Sequence, residues 1–395
     1  MKDLKIFAKT IDEKAKAQIN ALLEQPAFAN CKVRIMPDVH AGAGCVIGFT
    51  ADLGDKVIPN IVGVDIGCGM LCTELGNIDI DYAELDYVIR KYIPSGMNVH
   101  SYGLSFWCVT PDDLRCYDRL YNREWINRSM GSLGGGNHFI EVDSDEEGNK
   151  YLVIHTGSRN LGKQVCEIYQ DKAIYNLHGN GARKREIDAL IAEYKATGRQ
   201  SEIADGIAAI KKRFVGSIPK ELCYLEGQNR EDYLHDMKYC QEFAIMNRWY
   251  IAHEIIKCMG WNGLNQFETV HNYIDHDSNI VRKGAISAKK GERLLIPINM
   301  RDGCIIGVGK GNEDWNCSAP HGAGRIMSRA QAKETLTMAE YSKAMNGIYT
   351  TSVCTETIDE APQAYKPMQE IVDCIADTVE IQKIIKPVYN FKAKE

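Results

Sequence analysis

The sequence predicts an α+β fold: a single complex unit of mixed β-sheets carrying a helical insertion. Three observations predict it. Short, β-branched apolar runs bounded by glycine dominate the chain before about Gly162. From about Gly162 to Gly260 the texture changes to long segments with helical periodicity. After Gly260, strand-like and helical segments follow without regular βαβ alternation, which argues against a doubly wound sheet. The expected unit is residues 1–395, with the insertion at about 162–260.

The elements follow in order. A helix is expected from about Asp12 to Glu24, with Thr10 as its cap. VRIMPDV, CVIGFTADL and VIPNIVGVDIGCGMLCTEL read as buried strands. A second helix covers Tyr82 to Tyr92 behind Asp81. FIEV and YLVIHTGS are strand-like. KREIDALIAEYKA, EIADGIAAIKKRF and REDYLHDMKYCQEFAIMNRWYIAHEIIKCMG are helical. FETVHNYI and RLLIPINM return to strand. SRAQAKETL and the stretch Gln363 to Ile375 read as helices, and VEIQKIIKPVYNFK as a closing strand.

Composition narrows the function. With 45% hydrophobic and 25% charged residues, the chain has the mix of a soluble globular protein. Lys plus Arg is 47 against 53 Asp plus Glu, a net charge of −6. That excludes a basic coat for nucleic acid, so any RNA or DNA contact must come from a local positive patch. None of the 14 cysteines forms a CxxC pair, and they sit singly in apolar runs. MKDLKIFAKT lacks the apolar region of a signal peptide, and no apolar run reaches the length of a membrane span. These features point to a reducing cytoplasm, with most cysteines buried as small hydrophobes and no membrane partner.

Glycine concentrates in GVDIGCGM, GSLGGGNHF, HTGSRNLG and HGAGR, each holding or adjoining a metal-capable or nucleophilic side chain. Asp65 and Cys68, at D-x-x-C spacing, can aim a carboxylate and a thiolate at one point. That pairing suits a borderline divalent ion such as Mn, Fe or Zn. A tight turn with a buried cysteine is the bland alternative. His138 ends a glycine run, while His155 and His271 follow apolar strands. Each alone reads more readily as a hydrogen-bonded structural histidine. With Asp65 and Cys68 they form a donor set rich enough for two metals, an arrangement that serves phosphoryl displacement.

His321 lies among glycines in SAPHGAGRIMSR, where a neutral imidazole could attack phosphorus. Arg325 offers charge compensation, and the SRAQA helix could turn its N-terminal N–H groups to an anion. The alternative is a capping turn. Arg159, Arg282, Lys283 and Arg325 are the candidates for a phosphate-binding patch. His178, His235, His253 and His276 lack glycine context and read as structural. His40 is intermediate, and His100 has no case.

PDVHAGAG (37–44), GVDIGCGM (63–70), GGGNHFIEV (134–142), HTGSRNLG (155–162), HN (271–272), RKGA (282–285), HGAGR (321–325) with MSR, and DEAPQAYK (359–366) occur in this order. Together they resemble the RtcB-type tRNA-splicing RNA ligases, over nearly the whole chain from Pro37 to Lys392. That resemblance implies a GTP- and manganese-dependent ligase on an RtcB-like α+β fold. It would join an RNA 3′-phosphate or 2′,3′-cyclic phosphate to a 5′-hydroxyl. It implies two Mn²⁺ held by Asp65, Cys68, His138, His155 and His271, with Cys68 bridging, and His321 as the residue that takes GMP. Asn137, Glu141, Asn272, Ala323, Gly324, Tyr365 and Lys392 match positions around the guanylate. RNA and GTP are the partners implied, and the need for an accessory activator protein stays open.

IPINMRDG (296–303) departs from the family's Gly-Ser-Met-Gly turn, lacking its serine and placing Arg301 nearby. That departure admits an RNA-repair branch beside tRNA splicing. The competing readings are a manganese-dependent phosphoesterase and a non-catalytic RNA-end-binding protein. Neither needs a nucleophile at His321.

Overall fold

The computed structural model describes residues 3–103, 111–213 and 218–393. It is α+β, built on two large sheets. One has strand order Asp3–Ile6, Lys32–His40, Ile47–Asp52, Ile280–Lys283, Asn272–Asp275. The larger runs Arg293–Asn299, Gly303–Gly309, Val379–Lys392, Phe139–Ser144, Lys150–Thr156, Gly69–Gly76, Gln266–Val270. The Leu295 amide donates to the Thr269 hydroxyl (3.0 Å), tying the first strand of this sheet to its last. Apolar alternation along the strands packs Leu71, Ile140, Ile154 and Leu152 on one face and Met70, Val153 and Leu295 on the other.

Two expected strands are interrupted, and both breaks serve the site. In VIPNIVGVDIGCGMLCTEL, the segment Pro59–Val62 is a helical turn, with proline at its start and Gly63 at φ 97° after it. The strand begins only at Gly69. FETVHNYI divides at His271: Gln266–Val270 belongs to the larger sheet and Asn272–Asp275 to the smaller one. His271 thus sits where the chain changes sheets, and its amide donates to the Cys68 carbonyl (2.9 Å).

The first helix, Glu13–Leu23, is capped by Asp12 rather than Thr10, because the Asp12 carboxylate accepts from the Ala15 amide at 2.8 Å. Tyr82–Tyr92 forms behind Asp81 as expected. The expected helix Gln363–Ile375 shortens to Met368–Ile375, since Pro367 and a 3₁₀ turn at Pro362–Ala364 precede it.

The helical region comprises Arg159–Leu177, Asn180–Ala196, Ile203–Arg213 and Gln228–Met259. Phe214, the last residue of one expected helix, lies outside the described residues. Gln228–Met259 packs on the larger sheet and braces its loops. Buried Arg248 donates to the carbonyls of Gly67 and Thr156, both at 2.8 Å. Asn247 accepts from the amides of Gly131 and Ser132 and donates to the Gly157 carbonyl. Among the described residues, no helix is long and apolar enough to cross a membrane. The described cysteines are unpaired thiols, most of them buried.

Candidate active site

Strand ends and glycine loops bring Asp65, Cys68, His138, His155 and His271 together. Their donor atoms form two triads that share Cys68: Asp65–Cys68–His138 and Cys68–His155–His271, each within 4.8 Å. The Cys68 thiol lies 3.5 Å from His138 Nε2 and 3.3 Å from His155 Nε2. His138 Nε2 is 2.9 Å from Asp65 Oδ2, and His155 Nε2 is 3.3 Å from His271 Nε2.

Backbone carbonyls decide which ring nitrogens face inward. His138 Nδ1–H donates to the Leu133 carbonyl (2.9 Å), and His155 Nδ1–H to the Asn137 carbonyl (3.2 Å). His155 therefore turns a bare Nε2 to the cluster, whereas His138 Nε2 faces the Asp65 carboxylate, a position that a proton or a cation can hold. Asp65 lies over Gly157, where an added Cβ would stand 2.2 Å from its Oδ1. Burial, reinforced by the neighbouring imidazoles, holds His155 and His271 well below the usual histidine range. Burial opposes ionisation of Asp65, but the hydrogen bond and charge of His138 outweigh it and keep the carboxyl low. Burial, with the Asp65 charge, pushes the Cys68 thiol well up. Imidazole nitrogens converging on a buried thiol and a carboxylate are a donor set that fits borderline divalent cations.

The cluster borders a cavity of about 1180 Å³ whose lining includes His155, His271, His321, Ala323, Gly324 and Lys392. The His321 ring stands 4.9 Å, centroid to centroid, from that of His271. Its Nδ1 is 2.6 Å from Asp38 Oδ2, and its amide donates to the same oxygen at 3.1 Å. Asp38 is fully buried, and with Nδ1 engaged by its carboxylate, Nε2 is the ring nitrogen that Asp38 does not occupy. Gly324 makes this approach feasible: its φ is +75°, and a Cβ there would lie 2.3 Å from the Asp38 carbonyl oxygen. Asp38 had no role in the sequence reading. The signal available was a carboxylate two residues before His40 in a glycine-bounded motif. His40 itself lines the cavity and donates to the Asp38 carbonyl at 2.9 Å.

The other expected residues divide. Asn137, Glu141, Ala323, Gly324, Tyr365 and Lys392 line the cavity. Asn272 does not. Its side chain donates to the Asp65 carbonyl and accepts from the Gly284 amide (3.4 and 3.0 Å), which places it behind the cluster as a brace.

The expected phosphate patch is corrected. Arg282 is fully buried and bonds Ser318, Tyr273 and Asp275, while Lys283 donates to the Asn60 carbonyl. Their strand, Ile280–Lys283, is interior to its sheet, so both side chains are enclosed. Arg159 lies under the glycine loop, donating to the Ser132 hydroxyl and the Gly96 carbonyl. Only Arg325 of the four lines the cavity, and it pairs with Glu360. The helix beginning at Arg329 closes on its own capping box, with Ser328 and Gln331 satisfying each other's amides. Arg301 is also turned to a local partner, the Asp302 carboxylate at 2.8 Å.

Glu360, another cavity residue without a sequence-derived role, gathers Lys392, Arg325, Arg329 and the Tyr365 hydroxyl. Burial opposes its ionisation, yet Lys392, Arg329 and Arg325 outweigh that and hold the carboxyl at about 2, below the ordinary 4.5. The folded state therefore binds fewer protons than the unfolded chain between these values. The stabilisation is complete above pH 4.5 and is lost as pH falls through about 2. Glu360→Gln should flatten that part of the acid limb by on the order of 1–3 kcal/mol, read from urea unfolding at stepped pH. An unchanged slope would mean that Glu360 does not carry the effect.

Three of the histidines expected to be structural have local partners. His178 meets the Ile218 carbonyl, His235 meets Asp236, and His253 stacks on Trp249.

Comparison with known proteins places this geometry in a lineage. The sequence model of the family described as tRNA-splicing ligase RtcB matches residues 18–107 and 112–393. The RNA-splicing ligase RtcB of Escherichia coli (strain K12) is 28% identical, with 97% of this chain and 95% of the relative aligned. The tRNA-splicing ligases RtcB of Aeropyrum pernix and Archaeoglobus fulgidus are each 27% identical. Those alignments cover 89% and 86% of this chain, and 85% and 83% of the respective relatives. With a match that runs through every glycine-bounded element of the site, the chain belongs to the RtcB family.

Proposed function

We propose that this protein is an RNA ligase. It joins an RNA 3′-phosphate or 2′,3′-cyclic phosphate end to a 5′-hydroxyl end, with GTP and two manganese ions. One observation carries the reading: an imidazole oriented by a buried carboxylate stands 4.9 Å from the ring of His271, in the donor cluster, beside one cavity. Relatives named as RNA-splicing ligases support it. We read residues 1–395 as one ligase domain, and the cytoplasm as the compartment suited to its unpaired thiols.

In this reading Asp65, Cys68, His138, His155 and His271 would hold the two ions. The bound ions would supply positive charge to phosphate oxygens as charge develops. His321 Nε2 attacks the α-phosphorus of GTP, a phosphorus–nitrogen bond forms and pyrophosphate leaves. Asp38 holds the Nδ1 proton and stabilises the charge that the ring acquires. Asn137, Glu141, Ala323, Gly324, Tyr365 and Lys392 enclose the guanylate, while Asn272 braces the loops behind it. An oxygen of the RNA 3′-phosphate then attacks the guanylate phosphorus, breaking the bond to His321 and returning its lone pair. The 5′-hydroxyl oxygen attacks the activated 3′-phosphorus, and GMP leaves. A cyclic phosphate is hydrolysed to the 3′-phosphate first.

Incubation of the purified protein with α-phosphate-labelled GTP and Mn²⁺ should label the protein covalently. Adding 3′-phosphate and 5′-hydroxyl RNAs should yield joined product. Phosphate release without joining would support a phosphoesterase instead, and RNA binding without label or joining would support an end-binding protein. Neither alternative accounts for the Asp38–His321 pair.

A further inference from the structure

A second group of metal-capable side chains lies behind the cavity wall and shares no residue with the Cys68 cluster. Strand alternation puts Phe139, Glu141 and Asp143 on one face of the larger sheet. Cys304, at the start of Gly303–Gly309, reaches the same point from beyond the Val379–Lys392 strand. The donor atoms of Glu141, Asp143 and Cys304 lie within 4.8 Å of one another, and the Cys304 thiol is 3.5 Å from Glu141 Oε1. All three residues are buried. Around them are Met70, Tyr151, Val153, Leu295 and Ile385, an apolar shell.

Within this group, Asp143 lacks the hydrogen bonds that a buried structural acid would make. Asp143 is fully buried, and neither of its carboxylate oxygens has a hydrogen-bond partner among the described residues. Asn390, paired across the strands with Glu141, donates from Nδ2 to Glu141 Oε2 at 2.8 Å. Its Oδ1 also has no partner. The basic side chain acting on Glu141, Lys392, is bound to Glu360. Two carboxyl groups in such a place need either protons or a cation.

We propose that Glu141, Asp143 and Cys304 form a further divalent-cation site, for an ion of the borderline class that accepts mixed carboxylate and thiolate donors, such as zinc or cobalt. Without a cation, burial pushes Asp143 well above the usual carboxyl range and Glu141 up to about 7, so Asp143 keeps its proton at neutrality and Glu141 keeps its own only in part. Binding exchanges these protons and that of the Cys304 thiol for the ion and releases them to solvent. Glu141 and Asn390 line the cavity, whereas Asp143 and Cys304 do not. The cation would therefore fix the Glu141 carboxylate in the wall from behind.

The test uses the full chain, stripped with chelator and titrated with Co²⁺ alone. Cys68→Ala removes the thiolate of the other cluster, so a sulfur-to-cobalt charge-transfer band in that variant must arise elsewhere. The expected result is that Cys68→Ala still takes up one equivalent with such a band. Adding either Asp143→Asn or Cys304→Ser should remove both. A Cys68→Ala protein without the band, or a band that survives both added substitutions, overturns the proposal. Anomalous scattering from wild-type crystals soaked in Co²⁺ reads the site without any substitution. A peak among Glu141, Asp143 and Cys304 supports it, and peaks confined to the Cys68 cluster overturn it. Those two patterns also separate failure of this site from failure of the ligase reading, which rests on the Cys68 cluster.

Discussion

His321→Ala is expected to abolish labelling by α-phosphate-labelled GTP, and with it the joining of 3′-phosphate RNA. The loss should be at least on the order of 10³-fold, since no other side chain can take over a nucleophile oriented from behind. The wild-type adduct should vanish in acid and survive alkali, as a phosphoramidate does and an acyl phosphate does not. The same variant should still seal RNA supplied with a guanylylated 3′ end, because that substrate enters after the histidine has acted. Asp38→Asn should leave His321 in place but disturb its tautomer, slowing adduct formation by roughly 10²–10⁴-fold. Normal labelling of His321→Ala would assign the nucleophile elsewhere. Failure on the guanylylated RNA would give His321 a structural role instead.

Cys68→Ser is expected to lose metal and joining together. The cluster depends on one sulfur shared by two triads. A serine hydroxyl there stays protonated and donates weakly, so affinity for Mn²⁺ should fall by at least about 100-fold. Cys72 supplies the comparison, since it is equally buried but sits in an apolar cluster with Met70 and Val153. Cys72→Ala should retain metal content and joining. Metal analysis of the purified variants alongside the RNA-joining assay decides the matter. Full Mn²⁺-dependent joining by Cys68→Ser would remove Cys68 from its proposed place.

The donor residues were legible in the sequence because the chemistry they need is local. A D-x-x-C turn, a histidine closing a glycine run and histidines at the ends of apolar strands each announce themselves within a few residues. Strand and helix identities followed from apolar period for the same reason, as at Tyr82–Tyr92. Local pattern failed where tertiary demands interrupt an apolar run. FETVHNYI is uniformly strand-like, yet it changes sheets at His271, which only the packing of two sheets can specify.

By itself, the sequence determined the donor types, the glycine-bounded positions that carry them and the α+β class. The tertiary structure alone decided which side chains face each other and which are enclosed. Asp38 orients His321 across 283 residues of chain. Glu360, from the DEAPQAYK motif, collects the cations that the sequence would have offered to phosphate. Arg282 and Lys283 read as a phosphate-binding patch in the sequence but are buried on an interior strand. Asp143 and Cys304 meet only because their strands flank a third. Local sequence encodes backbone preference and donor chemistry, whereas burial and pairing between distant residues arise from the register and stacking of sheets.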